Sequence, residues 1–204
     1  MKIKGVFLAA ILTAVLCISG NLLAYSGGDG NTVNPYKIAN VTDWQELTTK
    51  NGDWGSSFIL TADVNMGGID RGSVGNVDRQ FTGVFDGNNN VISGAVINQP
   101  GSAYVGLFGY VGSGGQIRNL GVEDVNVTGD IYVGGLVGYN DGGTLTSCYA
   151  TGSVTGTYIC TGGLVGENFG LGSLTDCYAT CSVTGIYWVG GLVGVNSSAL
   201  LLIT

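Results

Sequence analysis

Residues Val133 to Cys160, VGGLVGYNDGGTLTSCYATGSVTGTYIC, recur at once as Thr161 to Trp188, TGGLVGENFGLGSLTDCYATCSVTGIYW. The two strings agree at about 19 of 28 positions once Leu171 is set aside as an insertion. A third copy opens at Val189 with VGGLVGVN and then stops. Upstream, Val105 to Tyr132 is a degenerate copy, in which GLFGY stands for GGLVGY and GGQIRNL for GGTLTSC. Phe81 to Tyr104 is fainter still. A chain built this way is confined to architectures that stack or ring like units.

Each unit holds short β-favouring segments separated by Gly, Asn and Asp turn signals, and none is long enough for a helix. Such a unit cannot bury an apolar face alone, whereas copies stacked by parallel strand pairing share one core. A propeller blade needs ~40 residues and four antiparallel strands, which this period does not supply. The expected fold is all-β: a right-handed parallel β-helix of ~28-residue coils, the hand following the usual sense of parallel crossovers. Leu107, Leu136, Leu164 and Leu192 are expected to form one internal ladder, and Ile117, Leu145 and Leu174 another. Asn140, Asn168 and Asn196 recur unchanged, and asparagines repeated at one position can hydrogen-bond along the coil axis. A ligand-binding asparagine row is the alternative. Tyr139, Glu167 and Val195 share a variable slot, as do Asp141 and Phe169, so these positions are expected to face solvent.

Composition narrows the function. Glycine supplies 38 of 204 residues, far above the ~7% of average usage, yet without the every-third-residue period of collagen. Fourteen acids against seven bases give a net charge of −7, so there is no basic field to attract nucleic acid or anionic lipid. The chain has no histidine, which removes the His-Glu-x-x-His zinc site, the Ser-His-Asp triad and the Cys-His pair. Paired carboxylates remain for a polysaccharide-active enzyme, with Glu123, Asp124, Asp141 and Asp176 as candidates, but no acidic pair repeats at one slot. Asp86, Asn88 and Asn90 imitate the start of a calcium loop without its glycine and distal glutamate, so an Asx-type turn is the preferred reading. No catalytic residue, metal or cofactor is expected.

Lys2 and Lys4 precede an apolar run from Val6 to Ile18 and small residues around Ala24 to Ser26, the pattern of a secretory signal peptide over residues 1–26. Cleavage after Ala24 or Ser26 is expected, leaving no membrane span. Residues 27–80 read as an N-terminal capping region, with a capping box of Thr42 and Gln45 at the head of a helix Asp43 to Thr49, and Phe58 to Val64 as a lead-in strand. Residues 81–204 hold the repeats. At the far end Ser197-Ser198-Ala199 and the run Leu200 to Ile203 supply no polar cap, so a truncated array that self-associates through this end is expected. Cys148 and Cys177 occupy one slot of successive copies. They form either a disulfide or, as preferred, a buried thiol ladder, because in-register side chains point the same way.

The GGLVG-x-N, CYATGSV and GVFDGNN strings resemble the GLUG repeat, named for its Gly-Leu-any-Gly core, and NPYKIANVTDWQEL with FILTADVN resembles the usual entry into such arrays. The resemblance spans Pro35 to about Asn196. It implies a right-handed β-helix on a bacterial secreted or surface-attached protein, as in the non-catalytic region of immunoglobulin-A-cleaving metallopeptidases, and it implies no catalytic residue. Cys181 departs from the pattern, standing where the earlier copy has Gly152. The function expected is a non-catalytic, secreted or cell-surface scaffold for adhesion or presentation. The partners expected are a surface glycan or a host or matrix protein, and the tyrosines at 139, 149, 158, 178 and 187 favour binding. A polysaccharide-active enzyme and a passive wall or matrix spacer are the alternatives.

Overall fold

The structure is a computed structural model, and it describes residues 25–198. The signal peptide expected over residues 1–26 therefore lies almost wholly outside the described residues, as do Leu200 to Ile203.

Short strands follow one another around about five turns of a solenoid. A leading strand β1 (Tyr36–Ile38) precedes the helix α1 (Val41–Thr49) and a single 3-10 turn, Asn51–Asp53. The first coil carries β2 (Ser57–Leu60) and β3 (Val64–Asn65), and the second carries β4 (Val84–Asp86), β5 (Val91–Ser93), β6 (Val96–Asn98), β7 (Ala103–Val105) and β8 (Phe108–Val111). In the third coil the pairing runs nearly unbroken through β9 (Gln116–Gly134) and then β10 (Val137–Asp141), and in the fourth through β11 (Thr144–Gly162) and β12 (Val165–Gly170). The fifth coil has β13 (Ser173–Thr175), β14 (Tyr178–Thr184), β15 (Tyr187–Gly190) and β16 (Val193–Ser198). Every pairing between these strands is parallel, in one long row β1-β2-β4-β9-β11-β13 with its side branches and a second row β8-β10-β12-β16.

In-register stacking turns sequence recurrence into columns. Phe58 pairs with Phe85, Phe85 with Ile117, Ile117 with Leu145 and Leu145 with Leu174, all pointing inward. The interior is aromatic where the chain starts and aliphatic where it ends. Phe58, Phe81, Phe85 and Phe108 meet with ring centroids 5.1 to 6.4 Å apart, whereas the later coils are filled by Leu136, Leu145, Val154 and Leu164. Leu171 is the extra residue that shifts the pairing, since Asp141 faces Phe169 but Thr144 faces Ser173.

The recurring glycines are explained by close backbone approach. A Cβ on Gly134, Gly162 or Gly190 would overlap the carbonyl oxygen three residues later in its own corner. One on Gly135 or Gly163 would overlap the carbonyl of the next coil, and one on Gly138 would lie 2.6 Å from the Val105 nitrogen.

The helix begins two residues earlier than the sequence suggests. Asn40, extended at φ −159°, is the N-cap; its side-chain oxygen accepts from the Thr42 and Asp43 N–H groups at 2.8 and 3.1 Å. Asp43 reaches back to accept from Ala39 N–H at 2.8 Å. The cap is thus Asn40 rather than Thr42, because asparagine is a stronger N-cap than threonine and Asn40 itself is extended, and Asp43 rather than Gln45 is the side chain that reaches back. Trp44 and Leu47 are fully buried, and Trp44 meets Phe85 and Phe108 edge-on, so the helix plugs the open end of the first coil. Phe58 to Val64 is not one strand: β2 and β3 are separated by a corner at Thr61–Asp63.

Candidate ligand-binding face

The ladder residues lie in the interior. Leu107, Leu136 and Leu164 are buried and Leu192 is half-buried in the last coil. Leu136 N–H donates to the Leu164 carbonyl at 3.0 Å, and Leu164 N–H to the Leu192 carbonyl at 2.9 Å. Asn140 Nδ2 donates to Asn168 Oδ1 at 2.7 Å, and Asn168 Nδ2 to Asn196 Oδ1 at 3.0 Å. The second hydrogen of each amide goes to a carbonyl of its own turn, Gly143 or Gly172, at 3.0 Å. All donors point toward the carboxyl end, so Asn140 Oδ1 at the head of the row is buried without a partner, Val111 standing in the slot before it. Asn140 and Asn168 are buried and Asn196 is exposed in the last described coil, and the row ties the coils together.

Cys148 and Cys177 are free thiols at successive rungs. The Cys177 thiol contact and burial raise Cys148, whose Sγ donates to the Thr146 and Ile117 carbonyls at 3.3 and 3.5 Å. Cys160 is also buried. Desolvation, with the Glu167 carboxylate nearby, pushes its thiol up to about 12.

Among the described residues, one gathering of outward-facing groups is a cleft of about 500 Å³ along β2, β4 and β9, lined among others by Pro35, Ile59, Asp86, Gln116 and Arg118. Arg118 Nε donates to Asp86 Oδ2 at 2.9 Å and Asn119 Nδ2 to Asp86 Oδ1 at 3.1 Å. Burial works against ionisation of Asp86, and the bonds from Asn119, the Asn88 N–H and Arg118 outweigh it, holding the carboxyl below its ordinary value. The Asp86-Asn88 bond at 2.8 Å closes an Asx-type turn with Asn88 and Asn89 at positive φ.

Asn119 also lines a second cleft of about 110 Å³ with Asn90, Ser147 and Tyr149. Tyr149 stacks on Tyr178 of the next coil at 5.0 Å and 3° between planes, and Tyr178 is exposed. The Tyr149 hydroxyl donates to Glu123 Oε1 at 2.7 Å; that bond, with burial, pushes the phenol up to about 12.

On the flank beside β8 and β10, Tyr104, Tyr110, Tyr132 and Tyr139 form a cluster with centroids 4.9 to 5.6 Å apart, extended by Phe169 at 6.0 Å from Tyr139. Tyr110 donates to Asp141 Oδ2 at 3.0 Å. Burial first and the facing carboxylates second hold the Tyr110 and Tyr139 phenols above their ordinary value. Tyr158 and Tyr187 meet edge-on at 6.2 Å, away from this cluster.

The structure gives the candidate acids separate partners. Glu123 takes the Tyr149 hydroxyl and Asp141 the Tyr110 hydroxyl. Asp124 sits at a bulge, its N–H donating to Thr151 Oγ1. Sequence reasoning missed Tyr104, Tyr110, Tyr132 and the Asp86-Arg118 pair. The recurrence of Tyr104 at Tyr132 and of Tyr110 at Tyr139 was the available signal for the first three. An acid and a base 32 positions apart give no such signal.

The GLUG motif family model matches residues 129–155 and 157–184. Halomucin of Haloquadratum walsbyi is 32% identical over 156 residues, covering 72% of this chain and 2% of that protein. A protein of Evansella cellulosilytica, named as a Gly-rich membrane protein, is 30% identical over 153 residues, covering 67% of this chain and 18% of its own length. The chain therefore spans a small part of both relatives. A crystal structure from Bacteroides ovatus, described as an immunoglobulin A1 protease, superposes with a TM-score of 0.57 at 22% identity over 85% of this chain and 65% of that one. That likeness concerns the fold.

Proposed function

We propose that this chain, a repeat scaffold carrying two GLUG motifs, is an exported, cell-surface or secreted adhesion module that binds carbohydrate without cleaving it. The observation that carries the reading is the Tyr149-Tyr178 stack, its planes parallel within 3°, with Tyr149 half-buried and Tyr178 exposed beside the cleft of Asn90, Asn119 and Ser147. A flat aromatic face supplies apolar area at little entropy cost, and the neighbouring amides and hydroxyl supply directional hydrogen bonds. Export is supported by the leader pattern of Lys2, Lys4 and the apolar run, and by the name of the Evansella relative. The Asn, Leu and Cys columns act here as the frame that holds the outer face at fixed spacing.

An array of bacterial and host-surface polysaccharides tests this. The wild-type chain is expected to be retained by at least one of them, and Tyr178→Ala to weaken retention about tenfold or more, as loss of a central aromatic contact does. Retention by none would favour the passive spacer. The enzymatic reading predicts new reducing ends, abolished by replacing Asp141 or Asp176; the scaffold reading predicts none.

A further inference from the structure

Tyr25 is built into the fold as a core residue. It is 5% exposed, with its ring 4.6 Å from Tyr36 and 5.6 Å from Phe58 and with its hydroxyl donating to Asp53 Oδ2 at 3.0 Å. Its backbone nitrogen donates to Glu46 Oε2 at 2.9 Å. Ser26 is held as well, its hydroxyl on Asp43 Oδ2 at 2.6 Å and its N–H on the Lys37 carbonyl at 3.1 Å. Cleavage after Ser26 would strip both residues from these contacts, whereas cleavage after Ala24 keeps them all.

The charges around the Tyr25 nitrogen are unbalanced. Asp43, Glu46 and Asp53 converge on Tyr25 and Ser26, and among the described residues the cations on this side are Lys50, which pairs with Glu46 and lies 5.7 Å over the Tyr25 ring, and Arg79, whose Nη2 donates to the Gly52 carbonyl beside Asp53 at 3.5 Å. Lys37 is exposed along β1, and Tyr36 is the remaining titratable neighbour. An ammonium on Tyr25 would supply the missing charge and replace a neutral N–H bond with a charge-assisted one. Tyr25 also has φ +58°. This left-handed value costs energy for a residue inside a chain, and the constraint disappears when no carbonyl precedes it.

We propose that the Ala24-Tyr25 peptide bond is the processing site and that the α-ammonium so released is held by Glu46 as a structural ion pair. The inference rests on the export reading above. A signal peptidase selective for small residues adds water across the bond: the C–N bond breaks, Ala24 departs as a carboxylate and the Tyr25 nitrogen takes up protons to become the ammonium.

Two measurements test it. N-terminal sequencing and intact mass of the chain after expression with its leader in a bacterial host should give Tyr25 as the first residue. A first residue of Gly27, or an unprocessed Met1, overturns the processing assignment. Independently of export, the chain starting at Tyr25 is compared with a free and with an acetylated amine. The free-amine form should melt about 2–4 °C higher at pH 6. An α-ammonium that gains a carboxylate partner has a folded pKa above its unfolded ~7.7–8.0, so the advantage is complete below that value and fades as pH rises through the folded one. In Glu46→Gln the free and acetylated forms should melt alike. Equal melting of the two wild-type forms overturns the ion pair even where processing follows Ala24, while a persisting difference beside an unprocessed Met1 locates the failure in export.

Discussion

The second glycine of each Gly-Gly pair is required by the coil that follows it, whereas the first is required by its own corner. Gly163 and Gly191 occupy one slot in successive copies, but a Cβ on Gly163 would strike the backbone of Gly191, whereas one on Gly191 meets nothing within 4 Å among the described residues. Gly163→Ala is therefore expected to destabilise the chain by about 1–3 kcal/mol through forced backbone movement, and Gly191→Ala to stay within about 0.5 kcal/mol. Chemical denaturation of both variants checks this; equal effects would show that the slot is governed by local conformation. The asparagine row gives a second contrast. Asn168→Ala strands Asn196 Oδ1, the Gly172 carbonyl and one hydrogen of Asn140, and should cost about 1–3 kcal/mol. The recurrence of these residues was plain in the sequence. The direction of the row was not, because it follows from where the Gly143 and Gly172 carbonyls lie.

Among the elements, α1 is where reading by pattern and reading by geometry part. The short helix was legible in TDWQEL, but its cap was placed at Thr42 when the extended Asn40 was available two residues before. Asn40→Ala should cost about 0.5–2 kcal/mol and Thr42→Ala less than about 0.5 kcal/mol; the reverse order would restore the later cap. Trp44→Ala removes the plug between Phe85 and Phe108 and should cost about 3–5 kcal/mol. At the end of β4, Asp86 has a carboxyl pKa below its unfolded value. Its contribution to stability is present above the ordinary carboxylate range and is lost as pH falls through the lowered folded value. Asp86→Asn should therefore flatten the acid limb of the stability profile, a change read by thermal melts between pH 2 and 6, roughly the range over which carboxylates titrate.

For the whole molecule, the coils that repeat most clearly were legible, and the ones that repeat least were not. The segment from Ser57 to Phe81 joins the stack although its sequence barely matches the others, because a coil needs only inward residues such as Phe58, Val64, Val74 and Phe81 at the right places. The corners were hidden for another reason. Tyr104, Tyr132, Cys160 and Trp188 all turn the chain at φ +54° to +62°, a conformation that sequence reading assigns to glycine or asparagine. Here the stacked neighbours over-determine the bend, and the outer tyrosine cluster is its by-product. The clefts were out of reach because each is lined from several coils. All of these features depend on in-register parallel stacking, in which Lys37, Ile59, Asp86, Arg118, Thr146 and Thr175 form one outward column. Electron–electron distance spectroscopy between genetically encoded labels at Lys37 and Thr175, with the cysteines left in place, tests that directly. Five rungs at ~4.8 Å predict one narrow distribution near 24 Å between the two backbones, before the reach of the labels is added; a broad distribution, or a distance well beyond the labels' added reach, would contradict the stack.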